Sequence, residues 1–294
     1  ANVVPFKHNG VGNAPWLTAG NTAMSGSGTT YAAVAEDFDK DGNIDIVTVN
    51  NLATGTISFL KGNGQGGFTN AAAANIFTVG AAPEHIAAAD LNGDGFMDVM
   101  TANYGGTGAS GTVSWLLGNG DGTFQGMQNL SMANAKFNSV AAADVSGDGK
   151  ADLVAPCQNS TGQGSVVVLI GDGSVNPGAF VSNNVGANMQ RPQWTQLVDL
   201  TGDNKLDIVV SLNGAATGNI AHLINQGTAT FMYNGANNLN SGTSPYSLAM
   251  GDFNKDGKPD IAAIQRITGA NVVPFKHNGV GNAPWLTAGN TAMS

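Results

Sequence analysis

The sequence predicts an all-β protein, a β-propeller of five four-stranded antiparallel blades. Three observations lead there. An aspartate-rich motif recurs five times in the 294 residues, starting at Asp37, Asp90, Asp144, Asp199 and Asp252. Successive starts are 53, 54, 55 and 53 residues apart, a period of the size that marks stacked or ring-closed repeat units. Between the motifs, short apolar runs are broken by Gly and Asn in the manner of hairpin strands, and no window sustains a helical periodicity.

Each unit divides into four strands. The first precedes the motif, at residues 31–35, 85–89, 139–143, 195–198 and 246–250. The second follows it, as in Ile46-Val47-Thr48-Val49 and Ile208-Val209-Val210, where β-branched side chains favour the pleated backbone. The third follows a glycine, at residues 56–60, 112–116, 165–170 and 219–224. Turns such as Gly62-Asn63-Gly64 and Gly118-Asn119-Gly120 then lead to a fourth, opening near Phe68, Phe124, Phe180 and Phe231. Four antiparallel strands per unit make a propeller blade.

The motif has the chemistry of a calcium loop. Calcium takes about six to eight hard oxygen ligands in a flexible shell. In the first copy Asp37, Asp39 and Asp41 stand at positions one, three and five, Gly42 at six permits the sharp turn, and Asp45 at nine closes the shell. The second copy offers Asp90, Asn92, Asp94 and Asp98, the third Asp144, Ser146, Asp148 and Asp152. The fourth offers Asp199, Thr201, Asp203 and Asp207, and the fifth Asp252, Asn254, Asp256 and Asp260. Position three is always an oxygen donor. Position six is glycine except for Asn204, a residue that tolerates left-handed backbone angles. The motif is not an EF-hand loop, which needs a glutamate at position twelve; apolar strand formers follow instead.

Charge placement supports the same reading. Of 20 acidic residues, 16 fall at these ligand positions, leaving only Glu36, Glu84, Asp121 and Asp172 elsewhere. Three or four carboxylates gathered in one loop repel unless a cation sits among them. About five Ca²⁺, one per loop, would bring a formal net charge of −9 close to neutrality.

The motifs resemble the FG-GAP/VCBS repeats, the calcium-loop blades of integrin α-subunits and of many secreted bacterial proteins. The five loops, the run Gly111-Thr112-Val113-Ser114-Trp115-Leu116-Leu117-Gly118-Asn119-Gly120 and the run Asp121-Gly122-Thr123-Phe124 carry the resemblance across nearly the whole chain. It implies that each metal loop joins the two inner strands of its blade. Propellers of that family commonly have seven blades, whereas this chain encodes five.

Residues 1–25 and 270–294 are identical, although the five units otherwise diverge. The segment reads as the two outer strands of a blade: a strand over residues 271–276, a turn at Asn278-Gly279, and a second strand from Trp285. The fifth unit needs one such segment. Within a single propeller domain covering residues 1–294, one copy closes the last blade and the other is spare or exchanged. One period of a tandem array, a redundant closing segment, and a docking strand for a neighbouring chain are three readings of the second copy.

Composition narrows the function. The 11 basic residues are thinly spread and the pI is near 4.6, which argues against nucleic-acid binding. No apolar run is long enough to insert in a membrane. Cys157 has no second cysteine to pair with and reads as a small buried hydrophobe. No Ser/His/Asp arrangement or zinc spacing emerges from His8, His85, His222 and His277, so no catalytic residue is assigned. The expected protein is a secreted or cell-surface, calcium-stabilised, non-catalytic module. It would be structural or adhesive, self-associating through its duplicated strands as a filament subunit, with a glycan or surface protein as the other expected partner. The alternative is a lectin. A multivalent lectin should repeat its pocket, but the positions Asn50, Asn103, Cys157, Leu212, Gln265 and Phe59, Trp115, Val168, His222, Pro274 repeat no sugar-binding set.

Overall fold

The computed structural model describes residues 2–3, 6–8, 16–18, 22–23, 29–69, 75–106, 108, 110–173, 181–214, 218–233, 235, 238–242, 244–266, 271–277, 285–287 and 291–292. The described elements are strands joined by turns and bends. They fall into two compact units, Ala1–Ala133 and Asn134–Ser294.

In the first unit, β1 (Asn2–Val3), β2 (Phe6–His8), β3 (Trp16–Thr18) and β4 (Thr22–Ala23) form two small ladders, β1 with β4 and β2 with β3. The first large sheet contains β5 (Thr29–Glu36), β6 (Asp45–Asn51) and β7 (Thr56–Gly62), with β8 (Phe68–Thr69) and β9 (Ile76–Thr78) both pairing β7. The second runs β10 (Pro83–Ala89), β11 (Asp98–Asn103), β12 (Thr112–Leu116) and β13 (Gln128–Ser131).

In the second unit, β14 (Lys136–Phe137) and β15 (Ala141–Ala143) both pair β16 (Asp152–Gln158), which leads to β17 (Gln163–Ile170) and β18 (Val181–Gln190). The fourth sheet runs β19 (Pro192–Val198), β20 (Asp207–Leu212), β21 (Gly218–Asn225), with β22 (Phe231–Tyr233) and β23 (Leu239–Gly242) on β21. The fifth runs β24 (Pro245–Gly251), β25 (Asp260–Gln265), β26 (Asn271–His277), with β27 (Trp285–Thr287) and β28 (Thr291–Ala292) on β26. Every pairing is antiparallel, and each motif connects the first and second strands of its sheet.

The outer strands differ from the sequence expectation. Three sheets split the outermost strand into two pieces on the same partner. Phe124 makes only a lone bridge to Gly118, and β13 begins four residues later at Gln128. Here the turn consumes the nearby polar groups. Asp121 Oδ1 accepts from the Thr123 amide at 2.9 Å and its hydroxyl at 2.5 Å, and the Asn119 amide donates to Thr123 O at 3.0 Å. The opening near Phe180 lies outside the described residues.

Burial follows the two-residue strand period. In β20, Ile208 and Val210 pack with Val154, Val166 and Val168 of the third sheet, while Val209 packs with Ile261, Ala263, Val273 and Phe275 of the fifth. Likewise Ala221 and Leu223 of β21 face the third sheet, and Ile220 and Ile224 the fifth. A sheet covered on both faces explains why its inner strand is buried at every position. In the first unit Val47, Val49, Ile57 and Phe59 pack against Ile86, Val99 and Leu116 in the same way. Phe38 stands edge-on to Phe59 and Phe124, with ring centroids 6.5 and 5.8 Å away.

The two copies of the duplicated segment share one register. Phe275↔Thr287, Lys276↔Leu286 and His277↔Trp285 repeat Phe6↔Thr18, Lys7↔Leu17 and His8↔Trp16. The later copy also pairs through β26 with β25, as in Phe275↔Ile261 and Val272↔Ile264, and so completes the fifth sheet. Among the described residues, β1–β4 pair only with one another.

Ile208→Ala removes a fully buried side chain and should cost about 2–5 kcal/mol, whereas Met232→Ala, 42 % exposed in β22, should stay within about 0.5 kcal/mol. Denaturant unfolding of the two variants checks this contrast.

Candidate metal centre

The five motifs share one hydrogen-bonded frame. At position one, a carboxylate oxygen accepts the amide of position six: Gly42 on Asp37 at 3.0 Å, Gly95 on Asp90 at 2.8 Å, and Gly149 on Asp144 at 2.7 Å. Asn204 on Asp199 and Gly257 on Asp252 follow at 2.8 Å each. This closes the turn and forces positive φ at position six, 82–85° for the glycines and 64° for Asn204. At position five, Asp41, Asp94, Asp148, Asp203 and Asp256 each accept the amide two residues on, at 2.8–3.1 Å.

Position nine does something the sequence does not announce. Asp45, Asp98, Asp152, Asp207 and Asp260 are at most 2 % exposed. One oxygen of each accepts the amide of position two, from Phe38, Leu91, Val145, Leu200 and Phe253 at 2.8–3.1 Å. The other accepts an amide at or just after the end of the third strand, from Gly62, Gly118, Gly171, Asn225 and His277 at 2.7–2.9 Å. The closing aspartate is thus a clamp between loop and sheet. The approach is close: a Cβ on Gly62 would lie 2.0 Å from Ile44 O, and one on Gly118 2.3 Å from Met97 O. Position two is a functional residue that ligand spacing alone does not single out. Its side chain enters the core in four copies, as Phe38, Leu91, Val145 and Leu200, and is exposed only at Phe253. The signal for it in the sequence is an apolar residue wedged between two acidic or polar ones.

Burial raises the Asp98 and Asp207 pKa values to about 6, against the hydrogen bonds from Gly118 and Asn225, with Asp94 and Asp203 adding repulsion. Asp45 and Asp152 are pushed up for the same first reason. At Asp144 burial also raises the pKa, but the amides of Gly149, Gly147 and Asp148 outweigh it and the net shift is downward.

The donor set fits a hard divalent cation. Ligand oxygens of Asp37, Asp39 and Asp45 all lie within 4.8 Å of one another. Asp37 Oδ1 is buried without a hydrogen-bond partner, an orphaned acceptor of the kind an ion satisfies. In loops two to four the equivalent oxygen takes the position-four amide of Gly93, Gly147 or Gly202 at 2.6–2.7 Å. A carboxylate has lone pairs for both an amide and an ion, so the frame leaves ligand capacity in every loop. The oxygens at position three serve within the loops: Asn92 Oδ1 and Asn254 Oδ1 accept the Asp94 and Asp256 amides at 3.1 and 2.9 Å, while the Ser146 hydroxyl lies 3.3 Å from Asp144 Oδ1. Thr201 also hydrogen-bonds to Asp203.

A profile of FG-GAP-like repeats matches residues 37–101, 104–155 and 199–263, more than half of the chain. The chain belongs to the FG-GAP-like repeat family. No relative among curated proteins matches the sequence. The FG-GAP-like chain shares its fold with the periplasmic gluconolactonase PpgL of Pseudomonas aeruginosa, at TM-score 0.65 and 14 % identity over 99 % of this chain and 82 % of that one. The biofilm matrix protein Bap1 of V. cholerae is similar at TM-score 0.53 and 16 % identity, over 99 % of this chain but only 43 % of Bap1. BBS1N, solved in complex with ARL6DN, follows at TM-score 0.55 and 12 % identity, over 92 % and 70 % of the two chains.

The remaining residues singled out in the sequence sit inside the sheets. Asn50 and Asn103 donate from the second strand to Thr56 and Ser58, and to Thr112 and Ser114, at 2.8–3.0 Å. Cys157 is buried 3.6 Å from the Ser165 hydroxyl, as its reading as a core residue requires. Gln265 donates to Ser241 O, and Leu212 is buried. Phe59, Trp115, Val168 and His222 are core, at 4 % exposure or less, and Pro274 pairs with Ala262. His277 Nε2 donates to Leu200 O at 2.9 Å.

For an aspartate whose pKa is raised on folding, protonation favours the folded state, and that gain disappears as pH rises through the folded value. With chelator present, lowering the pH from 7 to 5 should therefore raise the melting temperature. Asp98→Asn and Asp207→Asn should each flatten that slope in a calorimetric pH series.

Proposed function

We propose that the protein is an extracellular, non-catalytic, calcium-stabilised β-propeller module with a structural or adhesive role. The observation that carries this reading is the fivefold repetition of one loop frame, with convergent oxygens and an orphaned Asp37 oxygen in the first loop. In it Asp37, Asp39, Asp41 and Asp45, and their counterparts in the other four loops, hold about one Ca²⁺ per loop. The ion's chemistry there is structural: it neutralises gathered carboxylates. The five sheets serve as blades, and the aspartates that could move protons are committed to ligation and clamping. Among the described residues no helix is long and apolar enough to cross a membrane, and the periplasmic and matrix contexts in the names of PpgL and Bap1 suit a protein exposed to millimolar calcium.

Self-association belongs to the same reading. The β25 edge that accepts residues 271–277 would accept the identical residues of a second chain's N-terminal segment in the same register. Such an exchange replaces one strand pairing with an identical one, and the tethered C-terminal copy has the higher effective concentration. Exchanged oligomers therefore grow with protein concentration, as building blocks of a surface fibre, and size-exclusion light scattering across a concentration series reads them.

Asp148→Ala removes a ligand of the third loop. It should lower the melting temperature clearly in calcium and much less in chelator; equal losses in both would remove the metal role there. Glycan-array binding without calcium-dependent assembly would favour the lectin, and turnover of a sugar lactone would favour an enzyme.

A further inference from the structure

Lys61 sets the first loop apart. The residue before the third-strand amide of the clamp is Lys61, Leu117, Ile170, Ile224 and Lys276 in turn, and in the first loop its side chain reaches the loop's own carboxylates. Lys61 Nζ reaches across from β7 to touch Asp39 Oδ2 and lies 2.7 Å from Asp41 Oδ2. It thus bridges positions three and five, two of the side chains that would ligate the ion. The first loop is also the one with an acidic residue at position three. The fifth, which has Lys276 on the matching strand, carries Asn254 there. Among the described residues Lys205 is the other lysine paired with a motif aspartate; it sits at position seven of its own loop and lies 2.5 Å from Asp203 Oδ2.

We infer that Lys61 is an internal counter-cation of the first loop, which calcium must displace from Asp39 and Asp41. The side chain is suited to leave: it is 45 % exposed and flexible, so its ammonium can move to water when a doubly charged ion takes its place. Asp39 is only 6 % exposed, so without calcium the lysine is what neutralises it. The first loop therefore stays closed in low calcium and loads at the cost of an ion pair, while loops two, three and five load without that step.

This inference rests on the calcium reading, and loop-resolved titration separates the two. The position-six amides of Gly42, Gly95, Gly149 and Gly257 each donate to the first aspartate of their loop, so their NMR signals report loading loop by loop. Calcium is added alone to the chelated full chain. Lys61→Met should move the Gly42 midpoint to roughly two- to fivefold lower calcium, the scale of an exposed ion pair, and leave the other three in place. Lys61→Gln should do the same and serves if the Met variant folds poorly. Lys276→Met is the control and should shift Gly257 less than about twofold. In chelator the Lys61 variants should melt below the wild type. A Gly42 midpoint that is unchanged or raised in both variants would overturn the inference while leaving the calcium reading intact. No response at any of the four glycines would overturn both.

Discussion

The sheets of this chain depend on one interaction made five times: a buried aspartate whose two oxygens accept one amide from its own loop and one from the end of the third strand region. Without it, a nine-residue polar loop would have little to fix it against an apolar sheet. With it, position two is held against the sheet, buried in four of the five loops, and the turn at position six is held in register. The clamp also has a cost, since a carboxylate removed from water resists ionisation, most clearly at Asp98 and Asp207. A divalent cation at the same loop would relieve that cost, which couples the proposed metal to the fold.

Much of this was legible in the sequence. The period of the motif set the number of sheets, and the β-branched runs at residues 46–49 and 208–210 located the second strands, because both faces of such a strand are covered. Asn204 was readable as a left-handed residue, and its φ of 64° agrees. The outer strands were less legible. Their hydrogen bonds compete with Asx turns such as that at Asp121, and local side-chain bonding decides where pairing resumes.

The loop interior was legible in composition and hidden in geometry. Spacing picked out the aspartates that frame each loop but could not show that position nine is a clamp, because its amide partners lie 17–20 residues further along a different strand. Lys61 was hidden for the same reason, being 22 residues from Asp39 in sequence and in contact with it in the fold. The duplicated segment shows the converse. Its two identical copies had to share a register, yet only strand pairing reveals that residues 271–277 complete the fifth sheet.

The most direct test is native mass spectrometry of the full chain exchanged from chelator into calcium. Five metal loops predict a folded charge-state distribution carrying about five calcium ions per chain, one for each loop. A folded chain that binds no calcium would contradict this, leaving the five loops as clamped turns that hold the sheets through hydrogen bonds alone.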